Sequence, residues 1–276
     1  MIKEIYWEKA LAQSEISISR GSLFPLNTTV INNKIYKSED FIIKKLDTSK
    51  FKKNFVYGPK LNPFSPWEKD LEIEKIGNNH QLILNKYPVQ LGHILLITNN
   101  WKPQIGWLDI DDWLALKTVN NDTSGLWFFN SGPLSGASQP HRHLQLLRRS
   151  SQEIICPREK WFLGIRENPI NNVVFEKKIK VKKLNLSNNV ESLYKTYLEL
   201  ANHIGLGDPI SNEVPLFPYN LLITNEWIAI IRRSKDYKLG FNINALGFAG
   251  YILTTDKSNL LYLEKNGPEK LLENFI

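Results

Sequence analysis

Between residues 80 and 147 the chain repeats one device, a short apolar run closed on each side by turn residues. HQLILN at 80–85 and HILLIT at 93–98 flank a proline turn, LWFFN at 126–130 opens into the loop SGPLSGASQP, and HRHLQLL follows at 141–147. Runs of this length between turns predict strands buried in an antiparallel sheet. YNLLIT at 219–224 and WIAIIR at 227–232, joined across Asn225-Glu226, predict a further hairpin. DIDDWLALKTVN at 109–120 is acidic at its start and apolar at Trp113, Leu114, Leu116 and Val119, as a helix would be. ESLYKTYLELANHIG places Leu193, Tyr194, Tyr197, Leu198, Ala201 and Ile204 at helical spacing and stops at Gly205. A short helix is expected near Ile5 to Ser14. It leads into a loop-rich wrapping segment punctuated by Gly21, Pro25, Gly58, Pro59, Pro63 and Pro66. From Arg149 to the second helix the chain reads as basic and irregular, and a glycine-spaced segment, NINALGFAGYILTT at 242–255, follows the hairpin. The expected class is α+β with an antiparallel sheet and flanking helices.

The 276 residues suit one large domain or two interleaved small ones. We expect residues 1–150 to carry the chemistry and residues 151–276 to pack on the same sheet. Hydrophobic, aromatic and charged fractions of 42%, 11% and 23% exclude collagen-like and mostly disordered chains. A lone cysteine, Cys156, allows neither an intrachain disulfide nor a cysteine zinc cluster and fits a reducing, cytoplasmic setting. The start, MIKEIYWEKALAQSE, lacks the features of a signal peptide, and no window approaches the ~20 apolar residues of a bilayer span. The net charge of +7 would attract nucleic acid, acidic lipid or phosphorylated small molecules alike. The lysine runs KKLDTSKFKK at 44–53 and KKIKVKK at 177–183 read as solvated faces. LLITNNW at 95–101 and LLITNEW at 221–227 echo one another. The echo is either a chance similarity of strand ends or a duplication in which only the first copy kept its chemistry.

The sharpest chemical signal is HRHLQ. Strand side chains alternate, so His141, His143 and Gln145 face one way while Arg142, Leu144 and Leu146 face the other. Burying three polar groups together with no ligand would leave donors and acceptors unpaired at ~1–3 kcal/mol each. Directly upstream, Gly132 and Gly136 allow backbone N–H groups to approach an anion, with the Ser135 and Ser138 hydroxyls as further donors. A zinc hydrolase could use two such histidines, but Gln145 is a poor zinc ligand and no carboxylate lies near the motif in sequence. A neutral imidazole attacking phosphorus explains histidine, phosphate loop and the lack of metal ligands together.

These residues resemble the histidine-triad superfamily in the branch with glutamine at the third position, and within it the ATP adenylyltransferase, or diadenosine tetraphosphate phosphorylase, family. The blocks that carry the likeness are LNKYPVQLGHILLIT at 84–98, FFNSGPLSGASQPHRHLQLL at 128–147, YNLLITNEWIAIIRRS at 219–234 and NINALGFAG at 242–250, with NPFSPWEKDL at 62–71 weaker. The resemblance implies a histidine-triad-like sheet elaborated by the N-terminal segment and the C-terminal region. It makes His143 the adenylylated nucleophile, His141 its orienting neighbour and Gln145 a hydrogen-bond donor to the reacting phosphate, with His93 as the outlying histidine. It places Asn85 at the ribose with Lys86 beside it, and Asn130, Gly136, Ala137, Ser138 and Gln139 at the phosphates. Asn244, Ala245, Leu246 and Tyr251 fall at further nucleotide contacts. Thr255 stands where a lysine is expected, and an upstream lysine corresponds to Lys52 or Lys53.

The implied reaction is phosphorolysis of dinucleoside polyphosphates to ATP and ADP, reversible, with inorganic phosphate as acceptor. No cofactor is required for the covalent step; magnesium would accompany the nucleotide, and no metal residue is assigned. Water as acceptor would make a hydrolase, and a sugar phosphate a relative of the hexose-phosphate uridylyltransferases, whose zinc-binding cysteines are absent here. A nucleotide-sensing or RNA-binding module without turnover stays open, supported by the positive charge and by aromatics such as Trp161 and Phe162. A monomer or small homo-oligomer is expected, with neither membrane nor nucleic acid as partner.

Overall fold

The computed structural model of the chain describes residues 4–31, 39–48, 62–148, 155–167 and 172–276. The first half runs through α1 (Ile5–Ser19), β1 (Thr28–Val30), β2 (Ile42–Leu46), β3 (Glu72–Ile76), β4 (His80–Leu84), β5 (Ile94–Thr98), α2 (Ile110–Asn120), β6 (Leu126–Asn130) and β7 (His143–Leu147). The second half holds α3 (Glu159–Glu167), α4 (Val173–Glu176), β8 (Ile179–Lys183), α5 (Val190–His203), β9 (Tyr219–Ile223) and β10 (Trp227–Arg232). It ends with β11 (Tyr237–Lys238), β12 (Phe241–Asn242), α6 (Ala245–Phe248), β13 (Tyr251–Thr254) and α7 (Leu260–Leu272).

Eight strands form one sheet in the order β3-β4-β5-β7-β6-β9-β10-β8, antiparallel at every pairing. The sheet is continuous through both halves because β6 pairs with β9, Phe128 opposite Leu222. A small sheet, β1-β2-β13, carries a parallel pair, β2 with β13.

Alternation along each strand sorts side chains to two faces. Leu82, Leu96, Leu144, Leu146, Trp127, Phe129 and Leu221 face α2 and α5, where Trp113, Leu116, Leu193 and Tyr197 complete one core. On the other face the apolar cover is split. Leu126, Phe128, Leu147 and Leu222 join α3, α6, α7 and the small sheet, whereas Ile83, Leu95 and Ile97 pack on Phe64. His143 and Gln145 belong to this second face, between the two clusters.

α2 ties the sheet to its cover. Asp109 caps the helix by accepting from the Asp111 and Asp112 N–H groups, and Asp112 returns the bond to Asp109 N–H, a reciprocal cap of ~1 kcal/mol. The same buried Asp112 carboxylate accepts from Arg142 at 2.7 Å and meets His80 Nε2 at 3.0 Å. The helix start is thereby pinned beneath the strand that carries the histidines.

Several elements differ from expectation. α1 continues to Ser19 because the Ser14 and Ser17 hydroxyls turn back onto the carbonyls of Ala10 and Gln13, which keeps both serines compatible with a buried helical face. The wrapping segment contributes strands β1, β2 and β3. The stretch after Arg149 contains α3 and β8, so KKIKVKK is an edge strand with Ile179 buried, and not merely a solvated face. In KKLDTSKFKK, Lys44 lines the large cavity described below and Lys45 pairs with Asp256 at 2.8 Å. Trp161 and Phe162 belong to the core around α3, Phe162 stacked on Trp227 at 4.8 Å, which removes the aromatic support for an RNA surface. The echoed segments continue differently: the chain leaves the sheet after Thr98, whereas Asn225 and Glu226 turn directly into β10. Among the described residues no helix is long and apolar enough to cross a membrane.

Candidate active site

β7 begins at His143, so HRHLQLL is a strand only from its third residue. His141 precedes it in a single bridge to Pro103, because its ring is held by Thr98 at the end of β5. His141 Nε2–H donates to the Thr98 carbonyl at 2.8 Å, and Trp101 and Phe64 close around the ring at 5.4 and 5.8 Å. The peptide carbonyl of His141 in turn accepts from His143 Nδ1 at 2.8 Å. A carbonyl can only accept, so Nδ1 carries the proton and Nε2 keeps its lone pair. Burial lowers the pKa of His143 to about 4, which keeps the ring neutral at ordinary pH. The arrangement is a neutral imidazole with fixed tautomer, its lone pair on Nε2.

His93, just before β5, carries the opposite tautomer. Asn85 Oδ1 accepts from Tyr87 N–H at 3.0 Å, which turns Asn85 Nδ2 toward His93 Nδ1 at 3.1 Å. Nδ1 therefore accepts and Nε2 holds the proton. That buried Nε2–H makes no well-formed hydrogen bond among the described residues. Burial lowers the His93 pKa to about 4, and Gln145 on that side partly opposes the shift.

Asn130, at the end of β6, has its side-chain oxygen engaged twice, by Asn220 Nδ2 at 2.8 Å and by Ala245 N–H at 2.9 Å. Its Nδ2 is left as a donor toward the cavity it lines. Gln104 locks the two strand ends together. Its Oε1 accepts from His143 N–H at 2.8 Å, and its Nε2 donates to the carbonyls of Asn130 at 2.8 Å and His143 at 3.1 Å.

The loop between β6 and β7 departs from the expected cradle. The N–H groups of Ser135 and Ala137 bond back to the Gly132 carbonyl and that of Gly136 to the Pro133 carbonyl, while the Ser135 hydroxyl also returns to Gly132. These donors close the loop on itself, because a 3-10 turn at Pro133–Ser135 consumes them. Next to the histidines, the Ser138 and Gln139 amides are among the loop N–H groups with no protein acceptor among the described residues. Gly136 has φ +89°, and a Cβ there would come within 2.6 Å of Asn244 Cβ, so glycine lets the loop touch the start of α6.

Two cavities meet at Gln145. The larger, about 340 Å3, lies between the main sheet and the small sheet. It is lined by Asn85, His93, Phe128, Asn130, Gly136, Ser138 and Gln145 on one side and by Lys44, Asn244, Leu246 and Tyr251 on the other. The smaller, about 150 Å3, is lined by Phe64, Trp67, Glu68, Lys86, Ser138, Gln139, His143 and Gln145. Asn85, Tyr87, Ser138 and Gln145 belong to both walls.

The structure thus gathers His143, Gln145, His93, Asn85, Asn130, Gly136, Ser138, Gln139, Asn244, Leu246 and Tyr251 around one cleft. His141 stands behind it. Lys86 faces the smaller cavity and is ion-paired with Glu68 at 2.5 Å. Ala245 is corrected from contact to support, since its side chain is in the core and its N–H is taken by Asn130. Ala137 spends its N–H within the loop. Thr255 is outside the cleft, in a turn with Ser258 and Lys257. Lys52 and Lys53 lie outside the described residues. Sequence reasoning missed Gln104, Asn220 and Arg233, whose roles arise only from long-range approach. Among the described residues no three His, Cys, Asp or Glu side chains converge to hold a metal.

Both parts of the chain match known protein families. A family profile for the Ap4A phosphorylase N-terminal domain matches residues 1–158, and one for the ATP adenylyltransferase C-terminal domain matches residues 168–275. Protein APA1 of Saccharomyces cerevisiae is 32% identical over 202 residues, 63% of this chain and 61% of the yeast protein. Diadenosine 5',5'''-P1,P4-tetraphosphate phosphorylase 2 of the same yeast is 26% identical over 72% of this chain and 70% of its own. The crystal structure of yeast Ap4A phosphorylase Apa2 with AMP shares the fold at TM-score 0.73 and 24% identity, over 99% of this chain and 96% of that one. Its complex with Ap4A aligns at TM-score 0.71 and 22% identity. With its first 158 residues matched by the one profile and most of the remainder by the other, this chain belongs to the Ap4A phosphorylase family.

Proposed function

We propose that the protein is a nucleotidyltransferase that cleaves diadenosine tetraphosphate with inorganic phosphate to ATP and ADP, reversibly and in the cytoplasm. The observation that carries this reading is the neutral His143 ring, Nδ1–H spent on the His141 carbonyl and Nε2 unprotonated, on the wall of the smaller cavity beside Gln145, which also lines the larger one. Nε2 attacks the α-phosphorus, a P–N bond forms, the bond to the bridging oxygen breaks, and ATP departs with that oxygen. The imidazolium so formed keeps its Nδ1–H bond to the His141 carbonyl, which spreads the new charge. A phosphate oxygen then attacks the same phosphorus, the P–N bond breaks, ADP leaves and the neutral ring returns.

The larger cavity suits the adenylyl group, with Phe128, Leu246 and Tyr251 as apolar and aromatic walls and Asn130 and His93 as donors. The smaller cavity suits the departing polyphosphate and the incoming phosphate, with Lys86 and the Ser138 and Gln139 amides as donors. Transfer of this type asks for positioning and charge stabilisation, and each charge-assisted bond supplies ~1.5–3 kcal/mol. Magnesium enters, where it is used, with the polyphosphate tail. The Apa2 structures with AMP and Ap4A support the same ligands here.

The test supplies diadenosine tetraphosphate with and without phosphate. Equal ATP and ADP, formed only with phosphate, is the expected result, and His143→Ala abolishes it while leaving the fold intact. ATP plus AMP without phosphate identifies a hydrolase. Two ADP molecules, or an active His143→Ala protein, refute attack by His143 on the α-phosphorus.

A further inference from the structure

Behind the wall of the larger cavity stands a buried arginine that is ion-paired with no carboxylate among the described residues. Arg233, directly after β10, is 1% exposed. Its guanidinium donates to the carbonyls of Phe275, Ser135, Lys235 and Ile243 and to the side-chain oxygen of Asn220. All of these oxygens are neutral, and among the described residues no carboxylate is ion-paired with it. The other buried arginines differ: Arg142 pairs with Asp112 and Arg158 with Glu269. A buried cation surrounded only by dipoles is unfavourable unless a further charge joins it.

The acceptors show where that charge would sit. Ser135 precedes Gly136 and Ile243 precedes Asn244, both on the cavity wall. Asn220 passes the interaction on, its Nδ2 donating to the Ser135 carbonyl at 2.9 Å and to Asn130 Oδ1 at 2.8 Å. Asn130 then presents its own Nδ2 to the cavity. Each amide in this relay accepts on the arginine side and donates on the cavity side, so each bond polarises the next toward an anion.

We propose that Arg233 is the resident counter-charge for the phosphate of a nucleotide bound in the larger cavity, a positioning residue that acts through Asn220, Asn130 and the Ser135 carbonyl without touching the ligand. The inference rests on the reading that this cavity takes an adenylyl group. Asp236, partly exposed nearby, is a carboxylate whose field reaches Arg233 and offsets part of its charge.

Calorimetric titration with AMP and with adenosine, which differ only in the phosphate, separates charge from shape. Arg233→Met weakens AMP by about tenfold or more, the size of a unit charge acting through a partly shielded interior, and leaves adenosine within about twofold. Arg233→Lys recovers most of the AMP affinity. Asp236→Asn, on the solvent side, tightens AMP about twofold with adenosine unchanged. Equal weakening of AMP and adenosine in Arg233→Met overturns the inference. If Arg233→Met does not fold, Asp236→Asn decides: an unchanged AMP-to-adenosine ratio there overturns it. A wild-type protein that binds no AMP overturns the nucleotide reading and the inference with it, whereas wild-type binding with ratios unmoved in the variants overturns the inference alone.

Discussion

Gln104 replaces a rung of the sheet, and removing it tests whether the site depends on that substitution. β6 and β7 pair from Leu126↔Leu147 to Phe128↔Gln145. Continued in register, Asn130 would face His143 and exchange backbone bonds with it. Instead the Gln104 side chain, 1% exposed, stands between them, accepts the His143 N–H and donates to both carbonyls. Gln104→Ala deletes three buried hydrogen bonds of ~0.5–1.5 kcal/mol net each, so stability falls by about 2–4 kcal/mol. For a chain of this size that lowers Tm by roughly 4–16 °C. The strand ends then close on one another or take in water, and His143 moves relative to Asn130. A displacement of about 1 Å at the nucleophile costs on the order of 10²-fold in turnover. Differential scanning calorimetry reads the first effect and initial rates of diadenosine tetraphosphate cleavage the second. Gln104→Glu keeps the acceptor but sets a carboxylate against two carbonyls, so it does not rescue. A Gln104→Ala protein with wild-type Tm and turnover within twofold would show that the amide is only filler.

Two further outcomes follow from the same geometry. Gly136→Ala forces a residue with φ +89° to carry a Cβ that collides with Asn244, so the loop lifts from α6; KM for the dinucleotide rises by about tenfold, and an unchanged KM refutes the contact. His93 and His143 have pKa values lowered from 6.5 to about 4 by burial. The unfolded chain therefore takes up these protons near 6.5 and the folded chain only near 4. Stability is complete above pH 6.5 and declines as pH falls toward 4, by up to ~3 kcal/mol per histidine. Urea unfolding at pH 7 and pH 5 measures this, and the difference shrinks in His143→Asn; an undiminished difference in that variant shows that other groups cause it.

Legibility tracked burial and periodicity. β4, β5, β6, β9 and β10 are central strands, buried along nearly their whole length and mostly apolar, α5 carries a clear apolar stripe that stops before Gly205, and α2 is marked by its acidic start at Asp109 to Asp112. β3 and β8 are the sheet edges, and their sequences EIEKI and IKVKK are charged for that reason, since edges are protected by lysine and glutamate. Charge that reads as solvation in one dimension is protection of an edge in three. The same limit governs the site. His143 and Gln145 were legible because period-two spacing fixes a shared face within one strand. Gln104, Asn220 and Arg233 reach their partners across 39, 90 and 98 residues, and no local pattern marks them. The glycine loop was legible as a loop but not in its direction, because a turn that satisfies its own amides looks, in sequence, like one that offers them.

The electrostatics of the cleft follow from one requirement, that the nucleophile be neutral while its substrate is an anion. Burial is the main cause that keeps His143 and His93 unprotonated, but burial also repels phosphate by removing water. A positive charge on Arg233, behind a relay of amides and additional to Lys44 on the cavity wall, answers both demands. A cation in direct contact with the phosphate, such as a free lysine, would hold the ground state and the transition state alike and raise affinity more than rate. A fixed charge acting through oriented amides needs no reorganisation as the P–N bond forms, and so favours the step in which charge redistributes. The Lys86–Glu68 pair fits the same logic: Lys86, the lysine that among the described residues lines the smaller cavity, is neutralised at rest, so a polyphosphate must draw it away from Glu68 to use it.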